Sequence, residues 1–162
     1  MAAVATSASD SAEDLAIMAS ATVIGSLAIE GRPECVGAAR SFVARALGGA
    51  DPATDVAILL TSETVTNAVL HSNSRRAGGT VTVTVVEIGG GVRVEVTDEG
   101  SDLSIPEVKG YGCVSGGHGL LLVQTLADQW GYSRDDSRTT VWFWLARGRG
   151  RASLNDLPDG AA

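Results

Sequence analysis

Two neighbouring segments in the middle of the chain constrain its fold more than any other feature, because both alternate with a period of two residues. In residues 80–88 valines alternate with threonines, and in residues 92–98 a valine occupies every second position up to Val96. Three glycines at 89–91 join the segments, and a glycine-rich connection between two alternating runs predicts a β-hairpin. One face of each strand is apolar and the other polar, which predicts an antiparallel sheet covered by helices on one side.

The segments around this hairpin alternate between predicted helices and further strands. Helical periodicity and start signals predict three helices, at residues 33–47, 51–72 and 118–128. Short apolar runs predict three more strands, at residues 22–29, 130–133 and 139–145. We therefore predict an α/β (α+β) two-layer sandwich, with a mixed, mainly antiparallel sheet covered on one face by about three helices.

Composition predicts one globular domain in a chain of 162 residues, of which 44% are hydrophobic and 19% charged. We expect this domain at residues 21–147, with a flexible leader at 1–20 and a flexible tail at 148–162. The formal net charge of -7 and the lack of a basic stripe argue against direct binding of nucleic acid. No apolar run reaches the roughly 18 to 20 residues of a membrane span, and the start of the chain lacks a basic signal segment, so we expect a cytoplasmic protein.

The second predicted helix carries a line of polar residues on one face. Glu63, Asn67 and His71 recur every four residues and therefore share a side of the helix. The opposite side carries three apolar residues, namely Ile58, Val65 and Val69. Taken alone, this pattern is also typical of a solvated helix face.

Asp98 ends the second strand of the hairpin on the same side as its valines. A carboxylate on an apolar face is unfavourable unless a donor hydrogen-bonds to it. Gly100 follows two residues later and permits a close backbone approach. A simple surface turn at residues 97–100 explains the same residues, because Asp is common in turns.

A glycine-rich stretch, residues 115–119, leads directly into the third predicted helix. Free backbone N–H groups and the positive end of the helix dipole make such a junction a favourable anion site. The stretch is neither a Walker A motif nor a dinucleotide fingerprint, because the spacing of both is missing. We expect residues 99–117 to form a mobile lid.

Taken in their order along the chain, these segments resemble the Bergerat-type ATP-binding fold of the GHKL superfamily. The closest resemblance is to its small branch of anti-sigma-factor serine/threonine kinases, and it covers about residues 22–146. Residues 63–72 resemble the N box, usually Glu-Leu-Val-Thr-Asn-Ala; residues 96–100 and 117–123 resemble the two glycine boxes; residues 140–143 resemble the closing strand. Thr64 stands where the family usually has Leu, and His118 where Arg is common.

The resemblance implies a role for each matching residue. Asn67 would ligate the Mg²⁺ that bridges the phosphates, and Asp98 would accept a hydrogen bond from the adenine amino group. Glu63, one helical turn from Asn67, would be the catalytic general base. The remaining implied ATP-binding residues belong to the glycine boxes and the closing strand: Gly100, Gly117, His118, Gly119, Leu120 and Thr140.

The resemblance also implies a function, with ATP and Mg²⁺ as cofactors. The protein would phosphorylate a serine of a STAS-type anti-anti-sigma partner and would hold a sigma factor until that partner displaces it. The alternative is a nucleotide-gated protein-binding module without phosphotransfer, which would need Asn67 but not Glu63. The sequence leaves open whether the chain forms a homodimer.

Overall fold

Five strands and three helices make up the computed structural model, which describes residues 20–49, 51–101, 118–135 and 137–148. The strands are β1 (Thr22–Glu30), β2 (Thr80–Ile88), β3 (Gly91–Asp98), β4 (Gln129–Arg134) and β5 (Thr139–Ala146). The helices are α1 (Val36–Leu47), α2 (Pro52–His71) and α3 (His118–Leu126). Short 3-10 turns at Pro33–Cys35 and Asn73–Arg75 precede α1 and follow α2.

The five strands form one sheet in the order β1-β2-β3-β5-β4. All four described pairings are antiparallel, so the sheet predicted as mixed, mainly antiparallel has no parallel pair among the described strands. The predicted hairpin is β2–β3, in which Ile88 pairs with Gly91. Its turn needs glycine because Gly89 and Gly90 have φ angles of 60° and 73°, a region that side chains disfavour.

The helices cover one face of the sheet, and the core lies between the two layers. The valines that alternate in β2 and β3 are fully or almost fully buried on this face, together with Phe143 of β5 and Leu60 of α2. The residues of the opposite parity, such as Thr82 and Glu95, are half-buried on the outer face. This arrangement confirms the predicted two-layer sandwich.

Helix α2 is the central helix, and it packs against both α1 and α3 as well as the sheet. Its first turn is fixed by Asp51, whose side chain accepts a hydrogen bond from the backbone N–H of Ala53 (2.9 Å), and by Pro52 at the first helical position. Contacts on several sides explain why Leu60 and Val65 have no exposed surface. The polar residues of α2 therefore occupy a narrow remaining strip.

The other predicted helices differ from the structure at one end each. Residues 33–35 form a 3-10 turn, so α1 begins at Val36. Helix α3 ends at Leu126 because the backbone N–H of Asp128 donates to the Trp144 carbonyl (3.1 Å), which diverts the chain towards the sheet. The predicted leader, tail and lid fall mostly on residues 1–19, 149–162 and 102–117, which lie outside the described residues. None of the described helices is long and apolar enough to span a membrane.

Candidate nucleotide-binding site

The polar line of α2 lies at the edge of the buried surface. Glu63 and Asn67 are both half-buried, whereas His71 at the end of the helix is exposed. Four helical residues span about 6 Å along the axis, so the Glu63 carboxylate and the Asn67 amide can act on one bound group. His71 therefore lies on a solvated part of the helix, whereas Glu63 and Asn67 are partly covered by the packed surface.

Asp98 closes β3 on the helix-covered face, in the same parity as Val94 and Val96, as predicted. Its Oδ1 atom accepts a hydrogen bond from the backbone N–H of Gly100 (2.7 Å), which makes a local turn. Both interpretations of the sequence are thus correct, because the carboxylate forms a turn and also faces the core side of the sheet. Gly100 has a φ of 65°, which explains the glycine at this position.

Burial raises the pKa of Asp98 from 3.8 to about 6. The hydrogen bond from Gly100 and the charge of Arg134 oppose this effect by lowering the pKa, and the charge of Glu99 adds to it. Among the described residues no donor reaches the second oxygen, Oδ2. A half-buried carboxylate with one oxygen unpaired fits a ligand that brings its own N–H donor, and the adenine amino group is such a donor.

Thr140, the threonine predicted to bind ATP, lies on the outer face of the sheet. Thr140 pairs with Thr97 across the β3–β5 ladder, and their hydroxyls are 2.8 Å apart on the outer face of the sheet. Thr139 is the residue paired with Asp98, and it is 5% exposed on the helix-covered face. Directly paired residues of an antiparallel sheet project to the same side, so Thr139 and not Thr140 lies beside Asp98.

Hydrogen bonds from backbone N–H groups to backbone and side-chain acceptors tie the turn after Asp98 to the end of α2 and to the start of β2. The N–H of Asn73 donates to the Gly100 carbonyl (2.7 Å), and the N–H of Glu99 donates to the Ser74 hydroxyl (2.9 Å). The Glu99 carboxylate in turn accepts a hydrogen bond from the backbone N–H of Thr80 (3.1 Å). The helix that carries Asn67 and the turn that carries Asp98 are therefore held together with the help of Asn73 and Ser74, which the sequence analysis did not single out.

The second predicted glycine box opens α3 at His118. The first N–H groups of a helix have no partner within the helix, which is the property that an anion site needs. Leu120 is 7% exposed, so its side chain belongs to the packed interior and only its backbone remains for nucleotide binding. Gly117 lies outside the described residues, and the nucleotide contacts of His118, Gly119 and Leu120 stay predictions.

Three comparisons with known proteins bear on this site. No curated protein sequence matches the chain significantly. Among solved structures, the chain is similar to the crystal structure of the RsbU and RsbW domains of Rv1364c from Mycobacterium tuberculosis, with a TM-score of 0.58 and 21% sequence identity. That match covers 80% of this chain but only 34% of the solved one, so the chain spans about a third of its length. At this identity the match shows a shared fold.

The family comparison is more specific. The sequence model of the histidine kinase-like ATPase domain matches residues 29–145, which contain the three helices, β2 to β4, all but the last residue of β5 and every described residue of the candidate site, but only the last two residues of β1. This match confirms the resemblance drawn from the N box and the glycine boxes, and it implies ATP binding in general terms. The chain belongs to the family of histidine kinase-like ATPase domains.

Proposed function

We propose that this protein binds ATP at the site between Asn67 and Asp98 and phosphorylates a serine of a STAS-type anti-anti-sigma protein, and that it also binds a sigma factor. The observation that carries the proposal is the half-buried pair of Glu63 and Asn67 on α2. Asn67 alone would be enough to bind Mg-ATP, whereas phosphate transfer also needs a base, which Glu63 would supply.

Adenine recognition is assigned to Asp98 and Thr139. The Oδ2 atom of Asp98 would accept a hydrogen bond from the adenine amino group, while Oδ1 keeps its bond to Gly100. Thr139 replaces Thr140 as the threonine of the pocket, since its side chain lies on the same face as Asp98. A charged acceptor bound by a neutral donor discriminates strongly against ligands that lack the donor.

Asn67 would hold Mg²⁺ through its side-chain oxygen, an atom of the hard oxygen class that this ion prefers. The ion would neutralise charge on the phosphates when bound. Glu63 would accept the proton of the partner's serine hydroxyl while the serine oxygen forms a bond to the γ-phosphorus and the bond to the departing ADP oxygen breaks. The helix geometry supports this division of roles, because the two side chains lie one turn apart on one face of α2.

The partners follow from the likeness to a protein with an RsbW domain and from the resemblance to anti-sigma-factor kinases. The structural match, at 21% identity, supports the fold. The STAS protein and the sigma factor are proposed as partners.

The test is phosphate transfer to a panel of purified STAS proteins in the presence of Mg-ATP, followed by intact-protein mass spectrometry. We expect a gain of one phosphate on a serine of the partner with the wild type, and a rate roughly 10² to 10⁴ times lower with Glu63→Gln. Glu34→Gln is the matched control, because Glu34 is an exposed glutamate in the turn before α1. Transfer at the wild-type rate by Glu63→Gln would refute the role of Glu63. ATP binding without transfer to any partner would favour the nucleotide-gated binding module.

A further inference from the structure

Asp98, Thr139 and Arg134 form a row across three adjacent strands. Asp98 of β3 pairs with Thr139 of β5, and Thr139 pairs with Arg134 of β4. Directly paired residues share a face, so all three side chains project to the helix-covered side of the sheet. Neighbouring strands are about 4.8 Å apart, so the backbones of β3 and β4 are about 10 Å apart in this row. An arginine side chain together with a hydrogen bond can span this distance.

The Arg134 side chain extends along this row to the turn after Asp98. Its Nη2 atom donates a hydrogen bond to the Ser101 carbonyl (2.6 Å). Ser101 is three residues beyond Asp98 and is the last described residue before 102–117. The charge of Arg134 also acts on Asp98, where it lowers the pKa against the effect of burial.

The same turn is held from the opposite side by the end of α2. The backbone N–H of Asn73 donates to the Gly100 carbonyl (2.7 Å), and the next carbonyl along the chain, that of Ser101, is the acceptor for Arg134. Two consecutive carbonyls are therefore held by two different elements. Between them lies the turn in which Gly100 donates to Asp98 and sets the direction of the carboxylate.

We propose that Arg134 is a positioning residue of the nucleotide site, which holds Ser101 against β4 and so fixes the orientation of Asp98 towards adenine. The inference rests on the proposed binding of ATP at Asp98. It concerns a residue that does not touch the nucleotide and that acts through the turn and through its charge.

Removing Arg134 has two consequences that can be measured separately. The first is a looser turn, which weakens nucleotide binding at every pH. The second is a further rise in the pKa of Asp98, because the charge of Arg134, which lowers this pKa, is lost while the burial that raises it remains. The protonated carboxyl of Asp98 is a weaker hydrogen-bond acceptor for the adenine amino group than the ionised one. The variant should therefore lose more affinity for Mg-ATP at pH values near 6 than at higher pH.

The experiment is calorimetric titration with Mg-ATP at pH 8.0 and pH 6.0. We expect Arg134→Met to weaken binding of Mg-ATP about 3- to 5-fold at pH 8.0, as for the loss of an exposed charged contact, and roughly twofold more at pH 6.0. Arg134→Lys keeps the charge but not the fork of donors, so this variant should lose the same factor of affinity for Mg-ATP at the two pH values. Arg138→Met is the matched control, an exposed arginine of the same β-hairpin, and should stay within about twofold of the wild type.

Comparison with the Arg138→Met control removes any pH dependence that is common to all variants, such as that of the nucleotide phosphates. If Arg134→Met binds like Arg138→Met at both pH values while Asp98→Asn loses binding, the inference is wrong and the nucleotide site stands. If Asp98→Asn itself binds Mg-ATP like the wild type, the proposed function is wrong and the inference falls with it. A loss for Arg134→Met that is equal at the two pH values would overturn the electrostatic part, because a purely structural defect has no reason to follow the ionisation of Asp98.

Discussion

Replacing Asp98 with Asn should stabilise the protein in the absence of nucleotide while it removes nucleotide binding. Burial raises the pKa of this carboxyl from 3.8 to about 6 in the folded protein, so the ionised form is less favourable in the folded than in the unfolded chain. Asparagine has the same shape and can still accept the hydrogen bond from Gly100, but it has no charge to bury. The variant therefore separates the requirement for binding from the requirement for stability.

The size of the effect follows from the pKa. A rise from 3.8 to about 6 corresponds to roughly 3 kcal/mol for a fully shielded group. Asp98 is only half-buried, so screening by solvent reduces the expected gain for Asp98→Asn to about 1–2 kcal/mol. Because the folded pKa is the higher one, the cost is absent below pH 3.8, grows as the pH rises and is complete above about pH 6. The gain at pH 5 should therefore be roughly half of that at pH 8.

Thermal unfolding of the nucleotide-free proteins, followed by circular dichroism at pH 8 and pH 5, measures this gain. We expect the Tm of Asp98→Asn to exceed that of the wild type by about 3 to 6 °C at pH 8, and by about half as much at pH 5. The control is Asp135→Asn, because Asp135 accepts turn hydrogen bonds from Ser137 and Arg138 in the same way but is exposed. A Tm of Asp98→Asn at or below that of the wild type at pH 8 would refute the claim that the carboxylate is held at a cost in free energy.

Two matched pairs of variants test the other assignments in the site. Glu63→Gln should bind Mg-ATP like the wild type yet transfer phosphate roughly 10² to 10⁴ times more slowly, whereas Asn67→Ala should lose Mg²⁺-dependent binding itself. Titration with ATP in the presence and absence of Mg²⁺ distinguishes them, and identical behaviour of the two variants would contradict the separate roles. Thr139→Val should weaken ATP binding about 5- to 10-fold while Thr140→Val changes it less than twofold, because only Thr139 lies beside Asp98. Equal losses in calorimetric titration would contradict this assignment.

The parity of Asp98 could be predicted because β3 alternates strictly. Val92, Val94 and Val96 define one face without ambiguity, and Asp98 continues their series to the end of the strand. The alternation in β2 likewise made the hairpin predictable. Local sequence was sufficient here because each strand has one apolar and one polar face.

The faces on which Thr139 and Thr140 lie could not be predicted from the sequence, because β5 does not alternate in this way. Its residues 141–145 are apolar at every position, and Trp142 and Trp144 are half-buried on the outer face. Trp144 donates a hydrogen bond from its indole N–H to the Ile88 carbonyl (3.0 Å), and Trp142 stacks with Arg93 at 4.2 Å. These contacts make the outer face favourable for aromatic residues, and only the register with β3 shows that Thr139 is on the inner face.

Arg134 and Asn73 could not be found from the sequence for a different reason. The contact of Arg134 with Ser101 depends on the strand order, in which β4 lies beyond β5 although it precedes β5 in the chain. The contact of Asn73 with Gly100 depends on how the end of α2 packs beside the turn after β3. No periodicity in a single segment contains this information. The residues proposed to bind the nucleotide occur in recognisable motifs, whereas the contacts of Arg134 and Asn73 are determined by the tertiary fold.

The central claim is that this chain binds ATP through the Asp98 carboxylate, and the most direct test is a comparison of Mg-ATP with Mg-GTP by isothermal titration calorimetry at pH 8. Adenine offers an amino group where guanine has a carbonyl oxygen, which would face the carboxylate as a second acceptor. We predict saturable binding of one ATP per chain and at least about 100-fold weaker binding of GTP, as expected when a buried acceptor loses its donor. Equal affinity for the two nucleotides, or no binding of ATP by the folded protein, would contradict the account.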